Sequence, residues 1–364
     1  MGYIQKRVKI IFTGGTVAGN VAESKVSENT KSDPSSFMSI LASAIEVVKN
    51  NWNMEIEASV VELFNVDSSN INPENWTQLI STIEETYDDV DAYIILHGTN
   101  TMGYTAAALS FGLENINKPV IITGAQVPLG YLGTDATMNL VNSLRMAVWG
   151  YHEVKGVMAV FGSKIISGTR VKKGTDFDYD PFSSFQTGSL GQIGRFMKID
   201  EDAMKKHILY LSKYRPLAIQ SRVLSIKKEF SVEGIVSLTE FPGMTPDIFT
   251  SLVENNNAKA FILRSFGAGD PNEHLFDAFK FLKEKQIPLV ITTQAPSGLA
   301  NFQVNESGQY LRENDLAIPA YDMSIEAITT KLAWLLGQNM GYEMIKSKMV
   351  EDLHGEIRVG SELI

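Results

Sequence analysis

The chain has 364 residues, 44% of them apolar, with 42 acidic against 32 basic side chains and a formal charge of −10. This length predicts two domains, and the acidic balance argues against nucleic acid as a partner, since binding a phosphate backbone needs clustered Lys and Arg. The absence of cysteine excludes disulfides and thiolate chemistry, five histidines in no paired ligand spacing argue against zinc, and no apolar run approaches the roughly 20 residues of a membrane-crossing helix.

The N-terminal stretch "MGYIQKRVKIIF" has too short an apolar run for a signal peptide, so a cytoplasmic location is expected. Val8–Phe12 reads as a strand. A helix follows, with Phe37, Ile40, Leu41, Ala44, Ile45 and Val48 at helical spacing and Ser36 as its candidate cap. Then come a strand over 56–63, a helix over 74–86, a strand over 92–96, a helix over 104–115, a strand over 120–123, a helix over 137–149 and a strand over 157–161. Such alternation predicts an α/β fold with a mostly parallel sheet covered on both faces. Ligands of such sheets sit beyond the carboxyl ends of the strands, where residues 13–16, 66–70, 97–101 and 124–126 fall. The pattern loosens over 187–233, and a shorter alternation begins at 234. It comprises strands over 234–238, 259–263 and 288–292 and helices over 245–255, 271–285 and 323–336. The reading is a larger N-terminal domain over 1–190, a connection over 191–233 and a smaller C-terminal domain over 234–364.

Two strand ends run into small, hydroxyl-rich turns: "FTGGTVAG" (12–19) and "HGTNT" (97–101). In the first, Gly14 and Gly15 permit close approach to the main chain, while Thr13 and Thr16 supply hydroxyls. The loop lacks the Gly-Lys-Ser/Thr ending of a phosphate-binding P-loop. A tight turn with capping threonines is the alternative, and in "HGTNT" either Thr99 or Thr101 would serve as the cap of the following helix. Capping needs one threonine, whereas two such strand ends in one sheet suit a shared ligand and attack on a carbonyl. A threonine hydroxyl needs a neighbouring base. The stretch "SGTRVKKGTDFDYDPFSS" (167–184) offers Arg170, Lys172 and Lys173 beside Asp176, Asp178 and Asp180, although mixed charge is also the signature of a solvated turn.

The segments "TGGTVAG" (13–19), "VDSSNI" (66–71), "HGTNTMGYTAAALSF" (97–111), "VIITGAQVPL" (120–129), "GTRVKKGTDFDYDPFSS" (168–184), "ILRSFGAGD" (262–270), "TTQAPSG" (292–298) and "DMSIEAITTKLAWLL" (322–336) together resemble the bacterial-type L-asparaginases, nearest their cytoplasmic type I branch. The resemblance implies a two-domain asparaginase-like fold, active sites shared between subunits of a homodimer or homotetramer, a small-molecule amide substrate, and neither metal nor organic cofactor. It implies Thr16 as the nucleophile toward the side-chain amide of asparagine, Thr99 as a second hydroxyl, and Lys173 as the group that tunes Thr99 or a water as base. Asp67 and Ser68 would meet the substrate's α-carboxylate and amine. Backbone N–H groups around Gly15, Gly98 and Ala125 would supply the oxyanion donors. Asp270 and Glu306 are the candidate contributions from a partner subunit. Arg264 and "TTQAPSG" match an effector pocket of type I relatives, with Ala295 where some carry cysteine.

Two departures stand out. The family normally has Asp at the position of Asn100, where a carboxylate meets the substrate's ammonium. Losing such a charge-assisted contact costs on the order of 1.5–3 kcal/mol of recognition. Residues 17–35 also contain no tyrosine, although the family carries a catalytic one there. Three readings follow: an amidohydrolase with weakened or altered selectivity, a catalytically silent homologue that binds a ligand or assembles, and a tRNA-dependent amidotransferase subunit, which the acidic balance and a first strand beginning by Val8 disfavour.

Overall fold

The computed structural model describes residues 4–14, 34–52, 54–148, 154–210 and 224–358. The chain divides into two compact units, Met1–Lys228 and Glu229–Ile364. No described helix is long and apolar enough to cross a membrane.

In the first unit the elements run β1 (Ile4–Phe12), α1 (Pro34–Trp52), β2 (Met54–Glu62), α2 (Pro73–Glu85), β3 (Ala92–Leu96), α3 (Met102–Gly112), β4 (Leu113–Glu114), β5 (Pro119–Thr123), α4 (Ala136–Ala147), β6 (Gly156–Phe161), β7 (Lys164–Ser167), β8 (Val171–Lys173), β9 (Phe182–Ser184), β10 (Gly191–Ile193), β11 (Met197–Ile199), α5 (Glu201–Tyr210) and β12 (Ser225–Ile226). The main sheet has the order β11-β10-β7-β6-β5-β3-β1-β2. Strands β2, β1, β3, β5 and β6 are parallel, and β7, β10 and β11 add an antiparallel edge. The segment 191–233 therefore contributes strands to this sheet, and its β12 pairs with β4.

The "AYIIL" sequence of β3 is buried at every position, as a central strand covered on both faces requires. On one face, Phe37, Leu41, Ala44 and Val48 of α1 share a core with Leu140 and Leu144 of α4 and with Val8, Ile10, Ile94 and Ile121 of the strands. Helix α3 is built from small and apolar residues and is buried from Met102 to Gly112 except at Tyr104, so it sits as an interior rod. Helix α2 starts at a capping box. Asn72 Oδ1 accepts from the N–H groups of Glu74 (2.9 Å) and Asn75 (3.2 Å), Asn75 Oδ1 accepts from Asn72 N–H (3.0 Å), and Pro73 occupies the first turn. This cap fixes the end of the 66–72 turn that leads into it.

The strand order also locates a crevice. From β1 the chain crosses to β2 on one side and then to β3 on the other, so the connections leaving the carboxyl ends of β1 and β3 diverge. Such a reversal is where open parallel sheets bind ligands. Phe12 and Leu96 end their strands in register, which places the turns after them side by side.

The second unit contains β13 (Ile235–Thr239), α6 (Asp247–Asn256), β14 (Ala260–Ser265), α7 (Phe276–Glu284), β15 (Leu289–Thr293), α8 (Glu306–Glu313), β16 (Ile318–Pro319), α9 (Ile325–Gly337) and α10 (Tyr342–Met349). Its parallel sheet runs β13-β14-β15-β16 without reversal. Phe249, Phe261, Phe279 and Phe302 lie in its core. The described chain closes on α9 through polar contacts. Lys331 and Glu356, both fully buried, pair at 2.6 Å, and Arg358 Nε donates to the buried Asp322 at 2.8 Å.

Candidate active site

At the crevice, Thr13 spends both donors on one acceptor, its N–H (3.1 Å) and its hydroxyl (3.0 Å) reaching Leu96 O. Gly14 has φ +97°, and a Cβ there would stand 2.3 Å from Val66 O. A Cβ on Gly98 would stand 2.6 Å from Ser68 Oγ. Only glycine at both positions lets the 66–68 turn wedge between the two strand ends. Gly15 and Thr16 lie outside the described residues, as do residues 17–33.

Thr99 is buried at 7% exposure, directly after β3. Lys173 at the end of β8 donates from Nζ to Thr99 Oγ1 (2.9 Å) and to Asn100 Oδ1 (2.9 Å). Asn100 is exposed and donates from Nδ2 to Ser69 Oγ at 3.3 Å. Thr99, Asn100 and Lys173 therefore come together although Lys173 lies 74 residues from Thr99 along the chain. Burial lowers the Lys173 pKa from its ordinary value, and the charge of Asp176 opposes that shift. A lowered pKa puts more free amine within reach of the Thr99 hydroxyl, as a base requires.

Neither candidate threonine caps α3. Thr101 occupies the cap position without a side-chain capping bond; its hydroxyl donates to Ser68 O at 2.7 Å, tying the two turns together. The side chain of Ser36, the other candidate cap, lies outside the described residues. Ser68 is buried. Asp67 is exposed and turns one carboxylate oxygen back onto Ser69 N–H (2.8 Å), capping the short 3-10 turn Ser68–Asn70. Ala125 is fully buried, with its methyl packed into the core. Beside it, Gln126 Nε2 donates to the carbonyls of Asp176 (3.2 Å) and Asp178 (3.3 Å), fastening the loop that follows Lys173. The mixed-charge stretch thus divides: Lys173 enters the site, while Asp176, Asp178 and Asp180 stay exposed.

Sequence reasoning did not single out the polar chain behind this cluster. Trp76 Nε1 donates to Thr105 Oγ1 (3.2 Å), which lies 2.9 Å from His97 Nε2, and His97 Nδ1 lies 2.7 Å from Gly98 O. An indole N–H only donates and a carbonyl only accepts. Thr105 therefore accepts from Trp76 and donates to His97 Nε2, and His97 donates from Nδ1 to Gly98. Complete burial lowers the His97 pKa to about 4, against the bond to Gly98, so the ring is neutral at neutral pH and holds one tautomer. It fixes the carbonyl preceding Thr99. Replacing Thr105 by Val keeps the volume but removes the hydroxyl that accepts from Trp76 Nε1 and donates to His97 Nε2. This substitution should lower the unfolding free energy by about 1–3 kcal/mol, read as a shift in urea midpoint at constant m-value.

In the second unit, Asp270 Oδ2 accepts from Ala268 N–H at 3.0 Å and from the Asn305 amide, while Glu306 is exposed at the start of α8. Arg264 and Thr292 are in register at the carboxyl ends of β14 and β15. Among the described residues no three His, Cys, Asp or Glu side chains are grouped so as to hold a metal.

Comparison with known proteins adds an independent finding. Residues 7–205 match the family described as Asparaginase, N-terminal, and residues 235–349 match the Glutaminase/Asparaginase C-terminal domain. L-asparaginase 1 of Escherichia coli (strain K12) is 35% identical over 298 residues, covering 80% of this chain and 82% of that one. The L-asparaginase of Thermococcus kodakarensis is 29% identical over 356 residues, covering 96% of this chain and 99% of that one. A glutamyl-tRNA(Gln) amidotransferase component of Pyrococcus abyssi is 29% identical over 359 residues, covering 96% of this chain and 76% of that one. The solved structure of the thermostable L-asparaginase from Thermococcus kodakarensis superposes with a TM-score of 0.81 at 25% identity, covering 97% of this chain and all of that one. The two-domain architecture, the motifs along it and the 35% identity agree, and the chain belongs to the asparaginase family.

Proposed function

We propose that this chain hydrolyses the side-chain amide of L-asparagine to L-aspartate and ammonia, with Thr16 as nucleophile and Thr99 with Lys173 as the second hydroxyl and its base. The observation that carries the reading is the 2.9 Å contact between Lys173 Nζ and Thr99 Oγ1 at the reversal of the parallel sheet, where Thr99 is shielded from bulk water. Family membership supports it, and so does the name of the Escherichia coli relative.

The steps balance without an added reagent. Thr16 Oγ forms a bond to the amide carbon, and its proton passes to the departing nitrogen, which leaves as ammonia. The acyl-threonine then takes a water at the same carbon. The Lys173 amine, acting directly or through the Thr99 hydroxyl, removes one proton from that water, the bond to Thr16 Oγ breaks, and the proton returns to Thr16. Backbone N–H groups in the turns carry the charge that develops on the amide oxygen.

The test is ammonia release from L-asparagine by the purified protein. Activity should fall at least about 10²-fold in Thr99→Ala, with the circular dichroism spectrum unchanged. A native protein that releases no ammonia above the buffer rate, from L-asparagine or from any other β-carboxamide, would overturn the reading and favour the silent, ligand-binding alternative. Asn100 supports that alternative, being a neutral amide at the position where the resemblance leads one to expect a carboxylate.

A further inference from the structure

Resting on the hydrolytic reading, a deeper question is which amide this pair receives, and the charges around it bear on the answer. Lys173 has two acceptors, Thr99 Oγ1 and Asn100 Oδ1, each at 2.9 Å. Both are neutral, and among the described residues no Asp or Glu forms an ion pair with it. An ammonium only donates, so the atom of Asn100 that meets it is the oxygen. That orientation turns Nδ2 outward to the Ser69 hydroxyl. What Asn100 offers an incoming molecule is therefore an N–H donor, beside a cation. The carboxylates nearby are exposed: Asp67 is engaged with Ser69 N–H, and Asp176 acts on Lys173 through space.

Covalent geometry then limits how far from the pair the substrate's α-carbon can lie. An amide carbon within attacking distance, about 3–3.5 Å, of an oxygen activated by this pair has its α-carbon two bonds of about 1.5 Å further on. Groups on the α-carbon are then within reach of Asn100 and Lys173, which stand beside Thr99 Oγ1. An ammonium there meets the N–H donor of Asn100 and, whenever Lys173 is protonated, a like charge, and among the described residues no carboxylate is hydrogen-bonded to either side chain. A hydrogen, or the carbonyl of an acyl group, avoids the repulsion, and the acyl oxygen can also accept from Asn100 Nδ2.

We infer that the Asn100–Lys173 arrangement selects β-carboxamide acids without an α-ammonium, namely succinamate and asparagine acylated on its amine, over free L-asparagine. Asn100 is thus a specificity-determining residue. The experiment compares kcat/KM for ammonia release from succinamate and from L-asparagine, in the native chain and in Asn100→Asp. The native ratio should favour succinamate, and the substitution should move that ratio toward asparagine about ten- to a hundredfold. A native ratio of one or below, or a ratio that Asn100→Asp leaves unchanged, would overturn the inference. If neither amide is turned over, the hydrolytic reading alone fails. Titration calorimetry of the native chain with succinate and with L-aspartate then decides: tighter succinate upholds the selectivity, whereas equal or tighter aspartate, or no binding of either, overturns it.

Discussion

Lys173→Met is expected to lower kcat for ammonia release about 10²- to 10⁴-fold, the range for loss of a positioned general base. Methionine approximates the length of the lysine stem and preserves its packing, so the change isolates the amine. Two consequences follow from the geometry. The Thr99 hydroxyl loses the amine that donates to it, and the Asn100 amide loses the donor that fixes its orientation, so KM should rise together with the fall in kcat. The fold should be little affected, because the lost contacts are a half-buried amine and two neutral oxygens. The thermal midpoint should stay within about 4 °C of the native value, since about 1 kcal/mol shifts the midpoint of a unit the size of Met1–Lys228 by roughly 2–4 °C. A variant that unfolds at much lower temperature would instead assign Lys173 to the scaffold.

The largest stability effect is expected at the opposite end of the chain, in Lys331→Met. Lys331 and Glu356 are both fully buried at 2.6 Å. Lys331 also donates to the carbonyls of Met349 (3.1 Å) and Glu351, and Glu356 accepts from the N–H groups of Leu353 (3.0 Å) and His354 (2.6 Å). The pair therefore shapes the 349–357 segment around α9. Removing the lysine leaves an uncompensated buried carboxylate, at a cost of about 3–5 kcal/mol, measurable by urea unfolding of the second unit's transition. Replacing both residues by apolar side chains should recover most of that loss, because no charge is left to desolvate.

The same pair sets an acid dependence. Burial by itself raises the Glu356 pKa, but the charge of Lys331, the His354 side chain and the hydrogen bonds outweigh it and bring the value down to about 2. An unfolded glutamate titrates near 4.3. The stabilisation from Glu356 is thus fully present above that value and is lost as pH falls from about 4.3 toward 2. In the doubly apolar variant this part of the acid sensitivity should be absent.

How much of this was legible beforehand depended on the range of the interactions. The runs "VKIIF", "AYIIL" and "VIIT" announce the central strands because burial on both faces favours nearly continuous apolar sequence, with Lys9 and Thr123 as the polar exceptions. The alternation of strands with helices announces parallel sheets but not where the strand order reverses, since the second unit alternates in the same way and runs without reversal. The antiparallel edge was missed because β10 and β11 have three residues each, too few to show a period. Helices α8 and α10, eight residues each, escaped for the same reason. The helix read over 271–285 begins at Phe276, since Glu273–Leu275 forms a 3-10 turn capped by Asn272.

At the site, the hydroxyl-rich turns were visible as chemistry out of place at strand ends. Lys173 was not distinguishable from Lys172 by pattern alone and came from the family resemblance. The Trp76–Thr105–His97 chain had no signal in spacing, because its contacts join α2, α3 and the β3 end, and packing alone brings them together. Asp67 illustrates a different limit: the family resemblance implies a ligand-binding carboxylate, and one of its oxygens caps its own turn.

Whether Lys173 serves, directly or through Thr99, as the base for amide hydrolysis can be decided by the pH dependence of kcat for the native and Lys173→Met proteins. The free amine is the active form, so native turnover should rise with pH through an ionisation below the ordinary lysine value, in the direction burial shifts Lys173, and that rise should vanish in the variant. A variant whose profile keeps the same rise and the same plateau as the native protein would contradict the assignment of Lys173 as the base.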